Sequence, residues 1–73
     1  MTDPDDRTAT DWLAAYSERL GLPAPTPQEV DTLLELAGVA AHGSERIAAP
    51  IACWLVGRTD LTPDDALALA KEI

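Results

Sequence analysis

Phenylalanine is absent from this 73-residue chain, cysteine occurs once, and the aromatic side chains are only Trp12, Tyr16 and Trp54. A core must therefore be assembled from leucine and alanine, small enough side chains to favour closely packed helices. The single cysteine, Cys53, excludes an internal disulfide and offers no metal-ligand spacing, which fits a reducing compartment. Basic residues are scarce as well, with five Lys and Arg against 13 Asp and Glu and a net charge of -8. That balance repels nucleic-acid phosphate and anionic lipid, so neither a nucleic acid nor a membrane is the expected partner. The longest uncharged run, Ile47 to Gly57, falls well short of the ~20 residues of a membrane span. The acidic start also lacks the basic and apolar pattern of a signal peptide, so a cytoplasmic location is expected. A single domain of this length buries only about 60% of its unfolded surface and leaves little room for an enclosed active site.

What is present reads as four helices. Residues 1–9 carry Asp3, Pro4, Asp5, Asp6 and Arg7 without apolar periodicity and are expected to form a disordered acidic arm ahead of one helical domain over 10–73. Thr10 or Asp11 is positioned to cap a first helix with apolar residues Trp12, Leu13, Tyr16 and Leu20, and Gly21 supplies a left-handed stop. Leu22 to Pro25 forms a stiff connector. Thr26-Pro27-Gln28-Glu29 combines a capping threonine, a proline at the first helical position and a glutamate three residues after the cap. The second helix continues with Val30, Leu33, Leu34, Ala37 and Ala41 as its apolar stripe and ends near His42 and Gly43. Proline deep in a helix loses a hydrogen bond and clashes with the preceding turn. Pro50 therefore places the third helix start near Ile47 or Ala48, with a kinked start at Ser44 as the alternative. Gly57 and Arg58 end that helix, Thr62-Pro63 begins the fourth, and Leu61 is placed to pack on Ala66. The expected fold class is all-α, a small bundle of four short helices with sequential neighbours antiparallel.

Most charges are explained by the helix dipole, with acids in first turns and bases in last turns. Arg46 is the exception, because a cation just before a helix start meets the positive end of the dipole. It needs an acid within the chain, such as Glu45, or an anionic group on a partner. His42, at the end of the second helix, is placed to meet the last carbonyls. His42 and Cys53 fall short of the four ligands of a structural zinc site, and neither Ser44 nor Cys53 has a base and orienting group at a recognisable spacing. No metal, cofactor or catalytic activity is expected. The third helix is uncharged on every side from Ile47 to Gly57, so it must be the centre of the bundle or share an interface.

Several segments carry a resemblance: Trp12-Leu13, Leu20-Gly21-Leu22, Val39-Ala40-Ala41-His42-Gly43-Ser44-Glu45-Arg46, Ala48-Ala49-Pro50 and Leu55-Val56-Gly57. With them the chain resembles, from about Asp11 to its end, a family of small bacterial helical domains of unknown function, found alone or fused to molybdenum-cofactor guanylyltransferase. Those members are often labelled molybdopterin-guanine dinucleotide biosynthesis proteins. The family has no established catalytic residues, so the resemblance implies a pathway neighbourhood rather than a mechanism.

Three functions compete. The first is a non-catalytic accessory or interaction module near molybdenum-cofactor biosynthesis or molybdoenzyme maturation, docking on the guanylyltransferase or on a molybdoenzyme. There His42, Glu45 and Arg46 give polar specificity while Ile51, Trp54 and Leu55 supply apolar area. The second is a binder of a nucleotide or pterin phosphate through Arg46 and His42, and the third is a self-associating helical domain without ligand.

Overall fold

The computed structural model describes residues 8–73. Four α-helices follow one another, α1 over Ala9–Leu20, α2 over Pro27–Gly43, α3 over Ala48–Gly57 and α4 over Pro63–Ala70. No strand occurs among the described residues, and the fold class is all-α as the sequence predicts.

Local chemistry sets each boundary. At the start of α2 the Glu29 backbone N–H donates to Thr26 Oγ1 at 3.1 Å, and the Thr26 N–H donates back to Glu29 Oε1 at 2.8 Å. This reciprocal capping box satisfies two donors that the helix itself leaves unpaired. The start of α4 repeats half of it, with the Asp65 N–H donating to Thr62 Oγ1 at 3.1 Å. Gly21, at φ 74°, closes α1: its N–H reaches the Glu18 carbonyl at 3.1 Å, and the Leu22 N–H reaches the Ser17 carbonyl at 2.9 Å. Only glycine takes that left-handed turn without strain. Thr26→Ala is expected to lower stability by about 1 kcal/mol, read as a shift of the urea midpoint; an unchanged midpoint would mean that the box contributes nothing.

The start of α1 corrects the expectation of Thr10 or Asp11. The cap is Thr8, whose Oγ1 accepts from the Asp11 N–H at 3.1 Å, so Ala9 and Thr10 are already helical and Asp11 lies in the first turn. Thr8-Ala9-Thr10-Asp11 has the same threonine-to-acid spacing as Thr26 to Glu29, and a carboxylate three residues in favours the earlier cap. The helical domain thus begins before residue 10, and the rest of the expected arm, residues 1–7, lies outside the described residues.

Pro50 falls in the first turn of α3, which begins at Ala48 without a kink. Ahead of it, the Ala48 N–H donates to the Glu45 carbonyl at 2.9 Å and the Ala49 N–H to the Arg46 carbonyl at 3.1 Å. The tight turn thereby pairs two donors at a helix start that has no side-chain cap.

Packing centres on α2. Both α3 and α4 pack on it, whereas α1 forms no packed interface with any other helix. Leu36 of α2 is 2% exposed and Ala66 of α4 is 7% exposed, and these are the only buried apolar side chains among the described residues. Two polar contacts fasten α4 along α2: Thr32 Oγ1 donates to Asp64 Oδ1 at 3.2 Å, and Lys71 Nζ lies 3.0 Å from Glu35 Oε2. The ion pair is exposed on both sides and adds little to stability. Leu34, expected on the inner stripe, is instead 65% exposed. The arc that touches two partners includes Leu36, which lies about 120° around the helix from Val30 at 3.6 residues per turn. Of the two places allowed to α3, the structure excludes the centre. No helix is long and apolar enough to cross a membrane.

Candidate interaction site

Of the polar residues singled out in the sequence, His42 is in the last turn of α2 and Glu45 and Arg46 are on the turn that leads to α3, all three exposed. The carbonyl expected to meet His42 is taken by another group. Ser44 Oγ donates to the Ala40 carbonyl at 2.8 Å, closing the end of α2 and leaving the histidine directed to solvent. Arg46 has no ion pair among the described residues, where the one salt bridge is Lys71 to Glu35. The internal acid expected to compensate it is therefore not Glu45.

The apolar residues continue from that turn along the outer face of α3. Ile51, Trp54 and Leu55 are 58%, 59% and 54% exposed and lie on adjacent turns of one side of α3. Ile47 extends the strip toward the turn at 74% exposure. It was missed as a site residue, although it stands in the same uncharged run and immediately precedes the helix. A shallow hollow of about 640 Å³ joins the two halves, lined by Ser44, Glu45, Ile47, Ala48, Pro50 and Ile51. Neither His42 nor Arg46 lines it. One turn on, the Arg58 guanidinium lies 4.7 Å from the centre of the Trp54 ring. This cation–π contact holds one of the two faces of the indole and leaves the other open.

Cys53 faces the opposite way. Its Sγ donates to the Leu33 carbonyl at 4.0 Å, and burial pushes the thiol above its ordinary pKa of 9.0. It is a small packing group between α3 and α2. A raised pKa means that the folded chain holds this proton more tightly than the unfolded chain does. The stability difference between the wild-type chain and Cys53→Ala is therefore expected to stay level below about pH 9.0 and to shrink as pH rises above it. Urea titrations of both chains across that range measure it. A difference that is flat throughout would show the thiol to be solvated.

No group of three or more His, Cys, Asp or Glu is assembled in metal-binding geometry among the described residues. Every buried side-chain nitrogen or oxygen there has a partner, so no polar atom is left waiting for a ligand. The arrangement is that of a small all-helical domain whose exposed feature is an apolar helix face with a polar turn at one end. The chain belongs to the family described as Domain of unknown function (DUF6457), which it matches over residues 4–71. No curated protein and no solved structure matches it.

Proposed function

We propose that this domain is a non-catalytic protein-interaction module that lays the outer face of α3 against another protein. The observation that carries the reading is the exposure of Ile51, Trp54 and Leu55 on one side of one helix, near His42 at the end of α2 and Glu45 and Arg46 on the turn that follows. Interfaces are built this way, with a few large apolar anchors at the centre and charged groups at the rim. Arg46 supports it too, since a cation without an ion pair among the described residues, at the positive end of a helix, gains most from an anionic group brought by a partner.

The partner in this reading is the molybdenum-cofactor guanylyltransferase or a molybdoenzyme in the cytoplasm. This narrower statement rests on the resemblance of the Val39 to Arg46 segment to domains fused to that enzyme. A phosphate-bearing ligand fits less well. The hollow at the turn has a carboxylate, Glu45, as its one charged lining group, and neither basic side chain lines it.

Titration of the purified full chain into purified guanylyltransferase, and separately into a molybdoenzyme, tests the proposal by calorimetry. Binding that is lost in Trp54→Ala supports it. No binding to either protein at tens of micromolar rules out the named partners, and binding that survives Trp54→Ala and Ile51→Asp moves the interface away from α3.

A further inference from the structure

The chain holds a helix without a neighbour and a groove without an occupant. α1 has 12 residues, the length at which an isolated helix is marginal in water, and it forms no packed interface with the other helices. Yet it carries one apolar stripe. Trp12, Tyr16 and Leu20 recur every four residues at 52%, 49% and 54% exposure, and the rings of Trp12 and Tyr16 lie 5.0 Å apart. Residues of α3 and α4, with Leu36 of α2, line a groove of about 240 Å³. Leu36, Ala52 and Ala66 form its floor, Leu55 and Leu69 stand on its walls, and Thr59 is the one polar residue among its lining.

The connector decides whose helix fills it. Pro23 and Pro25 alternate through the segment joining α1 to α2, which ends on Pro27 at the first position of α2. Such a segment favours the extended polyproline conformation and advances about 3.1 Å per residue, so it carries α1 away from its own body. We propose that two copies exchange α1, each placing the stripe of Trp12, Tyr16 and Leu20 in the α3–α4 groove of the other.

The dimensions agree. At about 1.5 Å per residue α1 is roughly 18 Å long, comparable to the walls formed by α3 and α4. Seating one face of such a helix buries about 400 Å² on each side, and a two-fold pair does so twice. The total, about 1,600 Å², lies within the range of stable interfaces. The exchange is self-complementary and closes, as a two-fold dimer requires. Because each copy carries a net charge of -8, repulsion opposes the dimer and added salt is expected to strengthen it. The proposal does not rest on the hetero-partner reading: the groove shares Leu55 with that face but is lined by neither Ile51 nor Trp54.

Sedimentation equilibrium of the full chain tests it. The wild-type protein is expected at twice its 7.8 kDa mass at high micromolar concentration, more completely so in 0.5 M than in 0.05 M salt (about a threefold change in Debye length). Tyr16→Asp breaks the helix stripe, and Leu69→Asp breaks the groove wall at a position that is 53% exposed and therefore outside the core. Each is expected to raise the dimer dissociation constant by about a hundredfold or more while keeping its helical circular dichroism. An equimolar mixture of the two variants retains one intact helix–groove pair and is expected to recover dimer at a concentration where each variant alone is monomeric. A wild-type chain that remains monomeric, as it would if α1 folded back into its own groove, overturns the proposal. So does a dimer that survives either substitution, or a mixture that stays monomeric at the highest concentration reached.

Discussion

Leu36→Ala is expected to lower the stability of the chain by about 3 kcal/mol, within the 2 to 5 kcal/mol range for truncating a buried leucine. The expectation is large because the core is small. Among the described residues Leu36 is the one large side chain that is fully buried, and from the middle of α2 it lines the same hollows as Ala52 of α3 and Ala66 and Ala70 of α4. Removing it takes apolar area out of two interfaces at once and leaves Ala66, at 7% exposure, without its counterpart. At about 0.05 to 0.15 kcal/mol per residue, a domain of this size has roughly 4 to 10 kcal/mol to lose, so the variant is expected to be partly unfolded at 37 °C. A urea slope of about 1 kcal/mol per molar turns the loss into a midpoint shift of ~2 to 3 M. Leu34→Ala is the control. Two residues away and 65% exposed, it is expected to shift stability by no more than about 0.5 kcal/mol. Equal effects from the two substitutions would place the inner face of α2 on the wrong side of the helix.

That pair of leucines also marks where the sequence stops being informative. Starts and ends of helices are settled within a few residues, by Thr26 with Glu29, by Thr62 ahead of Pro63, by Gly21 and by Pro50, and these were legible. Their hydrogen bonds are local, so nothing distant is needed to place them. The first cap was misplaced because three capping residue types, Thr8, Thr10 and Asp11, fall within four positions. Which face turns inward is a different kind of question. From Leu33 to Ala41, α2 has apolar residues on more than one side, and the choice between Leu34 and Leu36 depends on where α3 and α4 lie. The uncharged α3 left two places open for the same reason, since a helix apolar all round is at home in a centre or at an interface, and only packing tells them apart. The candidate residues from His42 to Leu55 stand out in the sequence as a segment, but their exposure does not follow from it. The isolation of α1 left no trace in its own pattern, because an amphipathic stripe looks the same whether its cover belongs to the same chain or to another.

Trp54→Ala is expected to weaken binding of the protein partner by about 2 to 4 kcal/mol, roughly 30-fold to nearly a thousandfold, with little change in stability. Its ring is 59% exposed, so truncation removes almost nothing from the core. Arg58, 4.7 Å from the ring centre, already restrains the indole, and a restrained aromatic anchor loses little further freedom when a partner covers it. Arg46→Ala separates the polar contribution from the apolar one. With no ion pair to break among the described residues, its stability is expected to change by under about 0.5 kcal/mol, while affinity falls by about 1 kcal/mol or more if a carboxylate on the partner receives it. Arg46→Lys keeps the charge but loses the two-pronged hydrogen bonding, and an intermediate affinity identifies a bidentate carboxylate contact. Unfolding curves and calorimetric titrations of the three variants make the division. A loss of stability in Arg46→Ala of ~1 kcal/mol or more would return the arginine to an acid within the chain, and undiminished affinity in Trp54→Ala would remove α3 from the interface.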